Sequence, residues 1–366
     1  MRILLTAASC SPHYGGPAFL VTRLAQALVA RGIEISVWAA DGSAATTPLL
    51  PVSSAVRRIG GSLNDALGAP KSFDVVHDHG IWLPHNHRLA RLCSQYRLPR
   101  VVSIHGMLDP WCINHKALKK RVAWHLYQRT DLKAAQYYHV TSAEELRNIE
   151  KWHLGVPAKI IPLGVDVSDV PPRTSTRGEG GAAKIAAYLG RLHPVKGLPM
   201  LIEAWNNVRP NGWLLKIAGP DDGSHRKDLE DLVASYELSD VISFSGALHG
   251  SEKQAFLLNA DLFILPSFSE SFGLAVAEAL SFQVPVLTTT SAPWGVLETE
   301  RCGWSVEPKV GGLAWGLRRA TLQSSATLAA MGARGRDWVK ANLGWETITD
   351  QYIELYQETL LDGRSI

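Results

Sequence analysis

Short apolar runs alternate with stretches of helical spacing along most of the chain. In the first half the runs predict strands over 2–8, 33–39, 74–77, 101–105, 137–140 and 159–162. Apolar residues recurring every three or four positions predict helices over about 18–31, 84–96, 116–134 and 142–151. The second half repeats the scheme, with strands over 184–189, 213–218, 241–244, 261–265 and 284–287. A short helix and a strand follow between 293 and 304, and an amphipathic helical tail runs from about 326 to 361. The tail's apolar positions are Trp338, Leu343, Trp345, Ile348, Tyr352, Leu355 and Tyr356. Strand–helix alternation of this kind gives open, mostly parallel sheets with helices on both faces, the α/β class. Ligands in such sheets bind beyond the carboxyl ends of the strands.

A chain of 366 residues is long for one hydrophobic core and suits two domains. The most linker-like composition is 168–183, with Pro171, Pro172 and a Gly-Glu-Gly-Gly run. It separates a first domain over 1–167 from a second over 184–344, with 345–366 left as a terminal helix. No apolar run approaches the length of a spanning helix, and the opening apolar stretch is too short for a secretory signal. Four scattered cysteines (Cys10, Cys93, Cys112, Cys302) form no close pair, which fits a reducing cytoplasm. The net charge of +3 conceals an asymmetry: residues 1–166 carry +8 and the remainder −5. Lys116, Lys119, Lys120, Arg121, Arg129 and Lys133, with Trp111, Trp124 and Tyr127 among them, add to the basic side. Bases and aromatics on one helix fit an anionic membrane surface met through 116–133. No nucleic-acid partner is expected.

Candidate chemistry concentrates at strand ends. The apolar run ending at Leu265 leads through a polar loop into a helix beginning near Gly273, so backbone N–H groups and the positive end of a helix dipole gather at Ser271, Phe272, Gly273 and Leu274. Glu270 and Glu278 flank this anion site, and a carboxylate can accept from two neighbouring hydroxyls. Spacing alone fits an ordinary strand–turn–helix with solvated acids at least as well. Arg191 and Lys196 share a loop before another helix, where a guanidinium and an ammonium can both reach diphosphate oxygens. Gly15 and Gly16 follow the first strand, where a glycine pair can open a phosphate nest. His105 ends the strand at 101–105, before Gly106. His77-x-His79 and His85-x-His87 raise the question of a metal, but only Asp78 lies near to complete a shell, so neither metal nor cofactor is expected.

Ser-Glu-Ser-Phe-Gly-Leu-Ala-Val-Ala-Glu-Ala, holding Glu270 and Glu278 eight residues apart, resembles the signature of family 4 glycosyltransferases, retaining enzymes with a GT-B fold. Gly190-Arg191-x4-Lys196-Gly197 resembles the same family's loop for the leaving nucleotide diphosphate. Residues 161–166 resemble its interdomain crossing, with Leu163 where Asn is usual. The resemblance implies two Rossmann-like domains facing a cleft, an acceptor-binding first domain, a donor-binding second domain and a last helix that returns to the first. It implies that Glu278 holds ribose hydroxyls and Glu270 a hydroxyl of the donor sugar. Arg191, Lys196 and the amides at Gly273 and Leu274 would stabilise the diphosphate. His105 would lie near the donor sugar, Gly15 and Gly16 would close on donor and acceptor, and Leu248 would line the base pocket. The expected activity is retaining hexosyl transfer from a UDP- or GDP-sugar to a glycan or lipid-linked acceptor. Bacterial surface polysaccharide or lipopolysaccharide assembly is the expected setting, in the cytoplasm or on the inner face of the plasma membrane. A GT-B sugar-nucleotide epimerase and a non-catalytic sugar-nucleotide-binding protein remain as alternatives.

Overall fold

The computed structural model describes residues 1–14, 16–51, 53–68, 72–114, 117–167, 182–221, 223 and 225–362. Gly15, Lys116 and positions 168–181 of the expected linker lie outside the described residues. Contacts divide the chain into two compact units, Met1–Gly164 with Trp345–Ile366, and Val165–Gly344.

The first unit holds seven parallel strands: β1 (Arg2–Ala7), β2 (Glu34–Ala39), β3 (Arg57–Ile59), β4 (Val75–His79), β5 (Arg100–Ser103), β6 (Tyr137–Val140) and β7 (Ala158–Ile160). Their order is β3-β2-β1-β4-β5-β6-β7. Alternation along each strand sends neighbouring residues to opposite faces. Ile3, Leu5, Val37, Val75 and Val101 pack with Leu24 and Leu28 of the helix Gly16–Ala30 and with Ile348, Tyr352, Leu355 and Tyr356 of the helix Trp345–Asp362. Leu4, Trp38 and Val76 face the other way, against Leu89 and Cys93 of the helix Pro84–Tyr96. β3 escaped the sequence reading because an edge strand of Arg57, Arg58 and Ile59 carries no apolar alternation.

The second unit repeats the design with β8 (Lys184–Leu189), β9 (Trp213–Ala218), β10 (Ile242–Ser245), β11 (Leu262–Leu265), β12 (Val286–Thr289) and β13 (Gly303–Val306), in the order β10-β9-β8-β11-β12-β13. Both units are Rossmann-like, and each sheet reverses its winding once, between β1 and β4 and between β8 and β11. The helical tail over 326–361 is two helices, Ser325–Leu343 and Trp345–Asp362, separated by an extended Gly344. The first stays in the second unit and the second completes the first unit. The helix expected over 116–134 runs unbroken over the described residues 117–133, as Ala117–Ala123, one π-helical turn at Trp124–Gln128, and Arg129–Lys133.

A chain of buried polar groups joins the last helix to three strands of the first sheet. His139 Nε2 lies 2.8 Å from the Ile161 carbonyl, which can only accept, so this nitrogen carries the proton. His139 Nδ1 then accepts from Ser103 Oγ at 2.6 Å, Ser103 accepts from His77 Nε2 at 2.7 Å, and His77 Nδ1 accepts from Tyr356 Oη at 2.7 Å. Every ring in this sequence is neutral, and the Tyr352 hydroxyl stands 3.1 Å from His139 Nε2.

Burial pulls these imidazoles down, His139 to about 4, and leaves His77 well below its ordinary value. An unfolded histidine titrates near 6.5, so between that value and about 4 the unfolded chain binds more protons than the folded one. Their contribution to stability is therefore complete above about pH 6.5 and is lost as pH falls toward 4. Asp78, raised to about 6 by burial despite Arg100, acts in the opposite sense and offsets part of this. We expect the urea midpoint to be lower at pH 5 than at pH 7.5; equal midpoints would exclude titration of the histidine chain.

Candidate functional site

Two loops leave the strands that flank the reversal in the second sheet, 190–197 after β8 and 266–273 after β11. Strand order reverses there, and the diverging helices leave a crevice at the strand ends. In the first loop Pro194–Lys196 form a single 3-10 turn, started by His193 Nδ1 accepting from the Val195 amide at 3.2 Å. The amide of Phe268 donates to the Val195 carbonyl at 2.8 Å, which fastens the loops together. Lys196 Nζ then meets Glu270 Oε1 at 2.5 Å, and Ser267 Oγ donates to the same oxygen at 2.6 Å. The two charged side chains are 17% and 10% exposed, so the pair is mostly withdrawn from water. The other oxygen, Oε2, takes no hydrogen bond among the described residues and keeps its acceptor capacity. From the β12 side, Thr289 Oγ1 donates to the Ser267 carbonyl at 2.5 Å and the Glu270 amide donates to the Ser291 carbonyl at 3.2 Å.

Gly197 sets how closely the loops approach: a Cβ there would stand 2.2 Å from the Pro266 carbonyl oxygen, on a backbone at φ +67°. Gly212, at φ +72°, has nothing within 4 Å of the place a Cβ would take and isolates the backbone effect. Gly197→Ala should destabilise by at least about 2 kcal/mol, and Gly212→Ala by about 1 kcal/mol or less. Equal losses of denaturation midpoint would refute the steric account.

The second loop delivers the chain into the helix Leu274–Ser281 through Gly273, at φ +79° and ψ 58°. Trp294 Nε1 donates to the Phe272 carbonyl at 2.6 Å and its ring lies 5.4 Å from the Phe272 ring, so the entry is held from below. The first amides of a helix have no partner inside it, and here they stand with the dipole's positive end beside Glu270. Ser271 and Leu274 are half-buried and Phe272 is buried. Glu278 lies one turn into the helix, and its Oε1 meets Lys253 Nζ of the helix Gly250–Leu258 at 2.5 Å. Leu248 is half-buried in the turn after β10. Arg191 heads the first loop with its side chain exposed, and its carbonyl accepts from Tyr188 Oη at 2.8 Å. Lys196, Glu270, Ser271, Phe272, Gly273, Leu274 and Glu278 thus gather on two loops and one helix of one unit.

In the first unit His105 follows β5 at φ +52°, with a half-buried ring. The buried Glu145 carboxylate accepts from the Gly106 amide at 2.6 Å, the Thr141 amide at 2.7 Å and the Thr141 hydroxyl at 2.8 Å, which pins the turn beside His105. His105 Nε2 stands 3.1 Å from His79 Nδ1. Gly16 is the exposed first residue of its helix, two positions before the start expected at Ala18. Sequence reasoning missed Glu145, although Ser142-x-x-Glu145 has helix-capping spacing and Ser142 does cap the helix Ala143–Glu150. Ser267, Thr289 and Trp294 carried no signal as supports.

The basic segment differs from expectation. Trp124 is buried, 4.2 Å from the Trp152 ring, and half-buried Tyr127 donates to the Trp82 carbonyl at 3.1 Å. Lys120 turns back to the Cys112 carbonyl. The surface instead presents Leu118, Val122 and Leu126, which are 74%, 52% and 75% exposed, beside Lys119, Arg121 and Arg129. No helix among the described residues is long and apolar enough to cross a membrane, and no three His, Cys, Asp or Glu side chains among them could hold a metal ion.

Comparison with known proteins places this geometry in a family. A D-inositol 3-phosphate glycosyltransferase of Kineococcus radiotolerans is 25% identical over 95% of this chain and 91% of its own length. A GDP-mannose:cellobiosyl-diphosphopolyprenol alpha-mannosyltransferase of Xanthomonas campestris is 27% identical over 80% of this chain and 76% of its own. A sucrose-phosphate synthase from Thermosynechococcus elongatus superposes with a TM-score of 0.80 at 21% identity, over 99% of this chain and 100% of that one, which shows a shared fold. The model for Glycosyltransferase Family 4 matches residues 14–169, and that for Glycosyl transferases group 1 matches 176–338. With both sheets matched in this way, the chain belongs to the family 4 glycosyltransferases and is a GT-B glycosyltransferase.

Proposed function

We propose that the chain is a retaining hexosyltransferase that takes a sugar from a UDP- or GDP-sugar and passes it to a glycan or lipid-linked acceptor. The observation that carries this reading is the Lys196–Glu270 pair, held 2.5 Å apart at the reversal of the second sheet beside a helix entry. A diphosphate oxygen placed there meets an ammonium and unpaired amides, which are the groups that stabilise a departing phosphate. Arg191 adds a second cation, Glu270 offers Oε2 to a hydroxyl of the donor sugar, and Glu278 holds the ribose. Leu248 lies against the base. The first unit supplies the acceptor site, with Gly16 beside the ligands and His105 meeting the donor sugar.

In the proposed reaction an acceptor hydroxyl oxygen bonds to the anomeric carbon as the bond from that carbon to the β-phosphate oxygen breaks. The acceptor proton passes to the departing phosphate, and the product keeps the donor's anomeric configuration. The Xanthomonas relative, named for a GDP-mannose donor and a diphosphopolyprenol acceptor, supports a lipid-linked acceptor, and a relative of Escherichia coli named for putative colanic acid biosynthesis supports surface polysaccharide assembly.

Lys196→Ala and Glu270→Ala should each lower turnover by at least about 10²–10³-fold, the effect of removing one preorganised donor, with the circular dichroism of the fold retained. Near-wild-type turnover in either would end the assignment, and NMR of an inverted product would end the retaining mechanism.

We further propose that the face bearing Leu118, Val122 and Leu126 rests on an anionic membrane. Three apolar side chains on successive turns, bordered by bases, match an interfacial helix. Sedimentation with anionic vesicles should fall about fivefold for each of Lys119 and Arg121 replaced by Ala, the effect of roughly 1 kcal/mol per base. Leu118→Ser with Leu126→Ser should also release the protein, and unchanged binding in both sets would exclude this face.

A further inference from the structure

Two imidazoles stand side by side at the carboxyl ends of β4 and β5. His79 Nδ1 lies 3.1 Å from His105 Nε2, and the rings are stacked at 16° with centroids 5.4 Å apart. One of these nitrogens carries the shared proton and the other receives it. The choice is settled at the far side of His79. Its Nε2 is buried and has no hydrogen-bond partner among the described residues. A buried N–H left without an acceptor is rarer in proteins than an acceptor left unfilled. The proton of His79 therefore belongs on Nδ1, and His105 Nε2 receives it.

A neutral imidazole that accepts at Nε2 carries its own hydrogen at Nδ1. Burial keeps both rings neutral, with His105 pushed down to about 3. His105 Nδ1 has no hydrogen bond among the described residues, while the Glu145 carboxylate fixes the backbone beside it. We propose that His79 is a positioning residue that locks His105 in its Nδ1–H form, so that His105 offers a hydrogen-bond donor, and not a base, to an oxygen of the bound donor sugar. The sugar contact rests on the place given to His105 under the proposed function, whereas the proton's position rests on the His79–His105 geometry alone. With Nδ1 already protonated, His105 cannot take the acceptor's proton, which leaves the departing phosphate to receive it.

The test uses the full chain labelled with 15N-histidine. Long-range 1H–15N correlation at pH 7.5 separates protonated from bare ring nitrogens, and the His105 signals are assigned by their loss in His105→Ala. We expect a protonated Nδ1 and a bare Nε2 on His105. In His79→Leu the two forms should mix and kcat should fall about fivefold, the shift that loss of one ordinary hydrogen bond gives a two-state equilibrium. His79→Asn, whose amide N–H can stand where Nδ1–H stood, should restore both the spectrum and kcat. A proton on His105 Nε2 in the wild-type chain overturns the proposal without any variant. So does an unchanged His105 spectrum in folded His79→Leu. Wild-type turnover in His105→Ala, with the Nδ1–H signal present in the parent, would instead remove His105 from the reaction while the tautomer assignment stood.

Discussion

The contact between Lys196 and Glu270 is the interaction on which the second unit's candidate site is built. A parallel sheet that reverses its winding must part its helices at one place, and β8 and β11 border that place. The loops leaving them are fastened backbone to backbone, from the Phe268 amide to the Val195 carbonyl, before any side chain takes part. The ammonium and the carboxylate then meet where water is largely excluded, and each fixes the other's direction. An isolated charge so withdrawn would be costly, and each group offsets the burial of the other. A diphosphate would draw on the ammonium while a sugar hydroxyl draws on the carboxylate, and neither side chain would need to reorganise far.

The first unit uses polar burial differently. His77 and His139 are neutral, and their hydrogen bonds run in one direction from Tyr356 through His77, Ser103 and His139 to the Ile161 carbonyl. Neutral groups linked this way avoid the desolvation cost of ions while still fixing one arrangement of strands and helix. Glu145 is a buried carboxylate satisfied by three N–H and O–H donors, and it holds the turn at Gly106.

The strands were legible in the sequence wherever both faces of the sheet are covered, because continuous apolar runs such as Leu262–Leu265 have few other readings. β3 was hidden because an edge strand need not be apolar. Candidate site residues carried by short motifs, Glu270 with Gly273 and Arg191 with Lys196, could be named because their spacing is local. The contacts of Glu145, His79, Thr289 and Trp294 could not, since each meets its partner 22–39 positions away in sequence. Trp124 misled: an aromatic among lysines looks like a membrane anchor, yet its ring fills a core beside Trp82 and Trp152.

The break at Gly344 has a consequence for biosynthesis. The first unit is assembled from both ends of the chain, and Ile348, Tyr352, Leu355 and Tyr356 cover one face of its sheet. A growing polypeptide that has not yet emerged past these residues leaves that face only partly covered, by Leu24 and Leu28, and the hydroxyl partner of His77 missing. The second unit, continuous in sequence, can close on the ribosome first. The opening half must wait for the final helix, and during that interval its uncovered apolar strands are the part of the molecule most in need of a chaperone.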